Sequence, residues 1–398
     1  MNFRKYVGPS TLVSAAFIGP GTVTMCSLAG NRYSLELLWA LVFSIFATLV
    51  LQEMAARLGW YTGKGLGEAI HQQYPHGILR WLSAGLVVLA ILIGNAAYEA
   101  GNLTGAIIGL EVMGMSPDWK PAGTIGVFLV ILGVMIIGKY HYLERFLILL
   151  VVLMAICFVV TAILVIPGLG IRWFSWPMDL DALPYALGLI GTTVVPYNLF
   201  LHASIIPKKE EQGAELADIR RESRVAIILG GIISIAIMIS AAAGYGTMAM
   251  EKASDLQKVL IPVMGSAAKW VIGIGLLAAG LSSAITAPLA AAYALKGLLK
   301  WESKWSSSAF RATWLAVLLF GMGGTLNGFT SLQLIQLAQI ANAILLPLVA
   351  AFLWKMANDA RILDKYVNST SQNVATAVVL LITVLLAVKG LVNVIGGG

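Results

Sequence analysis

The sequence predicts an all-α membrane protein of about eleven transmembrane helices, on three observations: its composition, the recurrence of apolar segments, and two Gly/Pro interruptions at matching places. Of 398 residues, 59% are hydrophobic and 11% charged, and the mean hydropathy is +0.86, well outside the range of a soluble domain. Apolar stretches of about 17 to 25 residues, long enough to cross a ~30 Å hydrocarbon core, recur from end to end. No long polar block separates them, so 1–398 reads as a single transmembrane domain. The opening "MNFRKYVGPST" lacks a small-residue cleavage site after a short apolar core, and reads as the approach to the first span. The expected location is a bacterial inner (plasma) membrane, with the lipid bilayer as the main partner.

Hydropathy with Gly, Pro and charged residues as breaks places the spans near 10–30, 34–56, 80–110, 122–138, 143–167, 182–206, 225–249, 266–297, 310–327, 330–354 and 374–395. With the N-terminus inside, the inner ends and loops hold 19 of the 26 Lys and Arg. The outer ones hold Arg32, Lys120, Arg172, Lys252, Lys258, Lys269 and Lys389. That asymmetry predicts a cytoplasmic N-terminus and an outside C-terminus. It also accounts for the net charge of +7, leaving no need for a nucleic-acid partner.

The first span carries Gly19-Pro20-Gly21 near its middle. Proline removes a helix hydrogen bond and glycine lets the backbone leave helical geometry, so an unwound segment is expected there. The sixth span, "LGLIGTTVVPYNLFLHASII", clusters Gly191, Thr192, Thr193 and Pro196 at the same depth. Freed backbone groups survive in hydrocarbon only when buried in protein or facing a water-filled cavity. If spans one to five (about 10–167) and six to ten (about 182–354) are inverted repeats, with an extra span at 374–395, the breaks correspond. Paired breaks of this kind point to the central site of an alternating-access transporter, not to a channel.

Enzyme readings find little support. His71, His76, His141 and His202 form no paired ligand spacing on one helix. Cys26 and Cys157 fall in apolar segments and read as small core residues. No cofactor is expected. Glu99 lies deep in span three, where an ionisable group usually faces a cavity or a partner. Glu53 and Arg57 are four apart at the inner end of span two and read as a structural or gating pair. Gln339 and Asn342 are three apart and share a face of span ten. Trp60, Trp81, Trp173 and Trp176 read as interfacial anchors.

At the breaks the sequence resembles the Nramp family, proton-coupled divalent metal transporters with the LeuT fold. Span two and its Thr-Gly-Lys loop, "LLWALVFSIFATLVLQEMAARLGWYTGKGLGEAI", are similar to the family's second helix, and "GTTVVPYNLFLHASI" to its sixth. "LLAAGLSSAITAPLA" and "LAQIANAILLPL" match its eighth and tenth in order and spacing. The departures fall on the chemistry. Where the family has Asp-Pro-Gly-Asn, this chain has Gly19-Pro20-Gly21-Thr22. The family's metal-binding Met corresponds to Val195, and the His after the proline to Tyr197. Of its acidic pair in span three, Glu99 remains and Asn102 replaces the other; the second His persists as His202.

The resemblance therefore implies a substrate site at Gly19, Gly21, Thr22, Thr192, Thr193, Val194, Val195, Tyr197, Asn198, Gln339 and Asn342. Glu99, Asn102, His202, Ser282 and Ser283 are the expected coupling or gating residues. A thioether selects softer transition metals, whereas magnesium prefers hard oxygen ligands and keeps its waters. The expected cargo is accordingly a hard hydrated divalent cation, magnesium before manganese or iron, met by Thr22, Tyr197 and Gln339 directly or through water. The alternative is a small anion or uncharged solute, sodium- or proton-coupled, drawn to the positive ends of the half-helices. A monomer is the expected working unit.

Overall fold

The computed structural model describes residues 18–73, 78–138, 141–169, 180–210, 213, 215–246, 250–299, 307–327 and 329–395. Its main helices are α1 (Pro20–Tyr33), α2 (Leu38–Thr62), α3 (Leu66–Gln73), α4 (Ile78–Met113), α5 (Lys120–Ile137) and α6 (His141–Val165). They continue as α7 (Leu183–Thr193), α8 (Pro196–Glu210), α9 (Leu216–Ala242), α10 (Ala268–Leu299), α11 (Ser308–Thr325), α12 (Ser331–Ala357) and α13 (Thr370–Ile395). Among the described residues, eight helical stretches are long and apolar enough to cross a membrane. Each of the eleven predicted spans overlaps one or two of these helices. Residues 10–17, His76, Arg172, Trp173 and Trp176, which carry some of the expectations above, lie outside the described residues.

Boundaries differ from the hydropathy windows in instructive places. The seventh span, expected at 225–249, is a helix from Leu216 to Ala242. Its first two turns, "LADIRRES", are charged yet helical, because hydropathy marks the lipid-immersed stretch and not where helical hydrogen bonding begins. The unpredicted α3 follows a left-handed turn at Gly63 (φ 61), a conformation that glycine adopts without Cβ strain. Glu68 closes the start of α3 by accepting from the Gly65 N–H at 2.9 Å.

Two apolar clusters hold the bundle. The larger joins α1, α2, α7, α9 and α12 through buried residues such as Met25, Leu41, Leu187, Met238 and Leu346. The second joins α4, α5, α10 and α11 around Ile107, Phe128, Ile285 and Trp314. α4 and α10 pack almost backbone to backbone: a Cβ on Gly109 would lie 2.5 Å from the Gly273 carbonyl, and one on Gly280 2.5 Å from the Ala106 nitrogen. Small residues allow this approach, which suits a medium where dispersion and not water exclusion drives helix association. The outward faces of α5, α6 and α13 are apolar, with Leu129, Ile136, Phe146, Leu153, Leu381 and Leu385 exposed. Such faces are at ease in lipid.

One end of the bundle carries an ion-pair network that sequence spacing only half anticipates. Glu53 meets Arg57 at 3.2 Å, and also Arg220 of α9 at 2.6 Å and Gln372 of α13 at 3.4 Å. The buried Arg57 guanidinium further donates to the Tyr366 carbonyl and to Asn368 Oδ1. Trp60 lies nearby, edge-on to Tyr366 at 5.5 Å between ring centres.

The connection between α9 and α10 is tied by Asp255. It accepts from the Glu251 and Lys252 N–H groups at 3.0 and 2.9 Å and pairs with Lys258 at 2.7 Å. Partial burial pushes its carboxyl up, but the hydrogen bonds and the Lys258 ammonium outweigh this and hold it below the usual range. A depressed acid contributes stability above its unfolded pKa that disappears as pH falls through the folded pKa. The thermal-stability gap between the natural chain and Asp255→Asn is therefore expected to be present at pH 7, worth under about 1 kcal/mol beside a partly solvated Lys258. It should begin to shrink as the pH falls below about 4, where the unfolded carboxyl is protonated, and close below the depressed folded pKa; a gap that persists unchanged would show that charge plays no part.

Candidate functional site

The two interruptions define the site; the second is narrower than the sequence suggests, and at the first the described backbone turns helical already at Pro20. α1 begins at Pro20, with Gly19 extended (φ −82°, ψ 172°) as its N-cap. Gly21 is therefore helical, contrary to an unwound Gly-Pro-Gly. In the sixth span the helix stops at Thr193 and restarts at Pro196, so Val194 and Val195 are the break. Gly191, Thr192 and Thr193 remain helical. The physical reason is the same in both places: proline suits the first turn of a helix, where its missing N–H costs nothing, so each half-helix restarts on its proline.

The glycines beside the breaks serve packing instead. A Cβ on Gly191 would lie 2.7 Å from the Gln339 carbonyl carbon, and one on Gly21 2.8 Å from Gln339 Cδ and 3.0 Å from Thr192 Oγ1. α1, α7 and α12 thus converge on Gln339. Across this junction the Thr22 and Thr192 hydroxyls are 3.0 Å apart and joined by a hydrogen bond. Asn342 donates to Gln339 Oε1 at 3.5 Å, and all four side chains are buried.

A second group gathers where α4 meets α8 and α10. The Tyr98 and Tyr197 rings meet edge to face with centres 5.0 Å apart. Val195 packs with them, together with Leu201, Ala287 and Ala290. A Cβ built on Gly19 would point at Tyr98 Oη (3.4 Å) and Ser283 Oγ (3.5 Å), both ordinary contacts. Asn95, Tyr197 and Asn342 line a small cavity of about 10 Å³, the scale of a single water. Asn95 Oδ1, Tyr197 Oη and both polar atoms of Asn198 are buried with no hydrogen-bond partner of the protein. Buried polar atoms of this kind are rare unless a ligand or water completes them.

Other expected residues stand apart from this centre. Thr193 turns its hydroxyl back to the Leu189 carbonyl at 2.9 Å, and Val194 packs into the main apolar core. Glu99 is fully buried; Asn102 donates to its Oε2 at 3.4 Å and its Oε1 has no partner. The side chain lies against Gly321 of α11, where a Cβ would come 2.8 Å from the Glu99 Cβ. His202 Nδ1 is 2.5 Å from Gln52 Oε1 and Nε2 is 3.4 Å from Ser223 Oγ. The imidazole thus bridges α2, α8 and α9. The Ser282 carbonyl accepts from Thr286 at 3.0 Å.

Sequence reasoning passed over Asn95, Tyr98 and Gln52. The signal for the first two was present: Asn95, Tyr98, Glu99 and Asn102 fall at i, i+3, i+4 and i+7 of an otherwise apolar helix, a polar stripe on one face. Gln52 had none, since its meaning comes from His202 across the bundle. As to ligand chemistry, the junction offers hydroxyl, amide and backbone oxygen. Among the described residues no three His, Cys, Asp or Glu side chains group as a metal site.

A family model described as "Natural resistance-associated macrophage protein-like", Nramp, matches residues 10–393. The chain belongs to the Nramp family. Within it, the "Divalent metal cation transporter MntH" of Ralstonia nicotianae is 30% identical over 399 residues, covering 92% of this chain and 85% of the relative. The protein of the same description from Nostoc sp. is 29% identical over 387 residues, covering 91% and 85%. "Metal transporter Nramp3" of Oryza sativa subsp. japonica is 28% identical over 407 residues, covering 94% and 71%. Among solved structures, the manganese transporter of Eremococcus coleocola superposes with a TM-score of 0.76 at 20% identity, over 98% of this chain and 87% of that one. MhsT in complex with L-phenylalanine superposes at 0.60 and 13% identity, over 96% and 98%. The likeness to both places this Nramp member in the LeuT-type fold, and its family membership places it among integral membrane transporters.

Proposed function

We propose that the chain is a secondary-active, alternating-access carrier that moves a metal cation through the Thr22–Thr192–Gln339 junction. Its leading cargo is a hard hydrated divalent cation such as magnesium, in preference to manganese or iron. Divalent metal transport is what the printed names of its relatives state for those proteins. The preference within that class rests on one observation, the all-oxygen and uncharged donor set at the paired breaks. With no carboxylate and no thioether there, a bare transition-metal ion would be left with its charge uncompensated. A magnesium ion that keeps most of its waters meets hydroxyls and amides without losing its shell. Thr22, Tyr197 and Gln339 are the contacts offered to that shell, with Asn198 and Asn342 next to them. Glu99, Asn102, His202, Ser282 and Ser283 are assigned to coupling or gating.

Residues of about 10–167 and 182–354 act as the two inverted repeats, in a monomer of the bacterial inner membrane with its N-terminus cytoplasmic. One observation favours a second cargo: α1 and α8 both start at the breaks, aiming helix N-termini at a site without acidic side chains at the junction. Such ends attract a small anion.

Uptake into proteoliposomes separates the two. Magnesium is expected to enter and to be competed only weakly by manganese, with Glu99→Gln flattening the pH dependence of uptake. A preparation that admits neither cation but accumulates a small carboxylate would sink the cation reading, and unaltered pH dependence in the variant would remove Glu99 from coupling.

A further inference from the structure

α8 and α10 run side by side away from the central junction, and their seam has two parts. Next to the break it is apolar: Val195, Tyr197, Leu201, Ala287 and Ala290 pack together, with Ile205 and Tyr293 against them. Positions 197, 201 and 204 lie on one face of α8 at i, i+4 and i+7. Past this plug the seam opens into a cavity of about 240 Å³, walled by Ser204 and Pro207 of α8, Tyr293 and Lys296 of α10, and Glu68 beside the Gly63–Gly67 turn. Tyr293 belongs to both the plug and the cavity wall. The volume accommodates an ion with its first hydration shell, since each water occupies about 30 Å³ in the liquid.

The charges on the walls are opposite and unpaired. Glu68 gives one oxygen, Oε2, to the Gly65 N–H at 2.9 Å. Lys296 lines the same cavity without forming an ion pair with Glu68 or any other described acid. A carboxylate with a free oxygen can receive a cation. An ammonium on the facing wall keeps that cation from staying, and a passage works only when each stop along it binds weakly enough to release.

We propose that this cavity is a second cation site, the stop at which a hydrated divalent cargo rests against Glu68 between the central junction and the face rich in Lys and Arg, with Lys296 setting a short residence. The site rests on the cation reading above. It commits α8 and α10 to separate at Leu201 and Ala290 when cargo passes, because these two buried side chains pack in the apolar cluster that closes the seam.

The test measures magnesium KM in proteoliposomes separately from each membrane face, with the full-length chain. Glu68→Gln, which keeps an oxygen acceptor for the Gly65 N–H, should raise KM from the cavity face about tenfold, the scale of one charge-assisted contact. From the opposite face it should leave KM within about twofold, on the reasoning that only the transition of cargo through the cavity is altered. Lys296→Met should move the cavity-face KM the other way, several-fold lower. A merely structural Glu68 predicts equal changes from both faces and no response to Lys296→Met, and that pattern overturns the proposal. A cavity-face KM that falls in Glu68→Gln, or rises in Lys296→Met, overturns it as well. The cargo reading is judged beforehand, on whether the natural chain carries magnesium from either face.

Discussion

Gly19→Asp combined with Val195→Met is expected to bind manganese where the natural chain binds it weakly, by at least tenfold in Kd on the ~1.4 kcal/mol scale of one charged contact. Three features support the outcome. A Cβ on Gly19 meets only Tyr98 Oη and Ser283 Oγ, at 3.4 and 3.5 Å, so the carboxylate has room. Gly19 is also an N-cap whose side-chain role is vacant, and aspartate is among the best residues for that position. Its charge complements the positive end of α1. Val195 is buried against Tyr98, Tyr197 and Leu201, so the longer thioether crowds the cluster at a cost of about 1–3 kcal/mol. Methionine's flexibility eases that cost. Calorimetry with manganese and magnesium on the folded double variant is the measurement. A heat signal unchanged from the natural chain would show that positions 19 and 195 do not face one ion.

Arg57→Met should be the most destabilising change at the ion-pair end. Arg57 is 1% exposed, and its guanidinium joins Glu53 of its own helix to the Tyr366 carbonyl and Asn368 Oδ1, both in the approach to α13. Removing it leaves the Tyr366 carbonyl and Asn368 Oδ1 without their donor, and a buried acceptor left unsatisfied costs about 1–3 kcal/mol. Arg220 still meets Glu53 at 2.6 Å, so the loss falls on the α13 side and not on α9. Arg57→Lys should recover little, because an ammonium cannot address two separate acceptors with a planar fork. Thermal unfolding in detergent would show the drop in midpoint. If Arg57→Lys matched the natural chain, the planar geometry would be irrelevant and a point charge sufficient.

The broken spans were legible because proline and glycine act locally: Pro20 and Pro196 announce a helix start whatever surrounds them. The junction between them was only partly legible. Thr22 and Thr192 are 170 positions apart, and their 3.0 Å contact depends on how the half-helices lean together, which no local pattern encodes. The same limit explains Gln52 beside His202 and Arg220 beside Glu53, each a partner supplied by another helix. Where periodicity did carry the information, as in the Asn95, Tyr98, Glu99 and Asn102 stripe, the apolar background of α4 masked it. The run of spans along the chain was readable for an energetic reason. Hydrocarbon penalises exposed backbone so heavily that helices of membrane length are nearly the only solution.

Gln339 touches a half-helix at each interruption at once: its side chain fills the space beside Gly21 of α1, while its own carbonyl abuts Gly191 of α7. On the proposed cargo path, a residue so placed would work as a coincidence detector. Anything that draws the Gln339 amide toward the cargo loosens its hold on α1, and any shift of α12 to accommodate that movement presses directly on α7. On the proposed cargo path the two half-helices would register occupancy together through this one residue, so that neither has to sense the cargo independently.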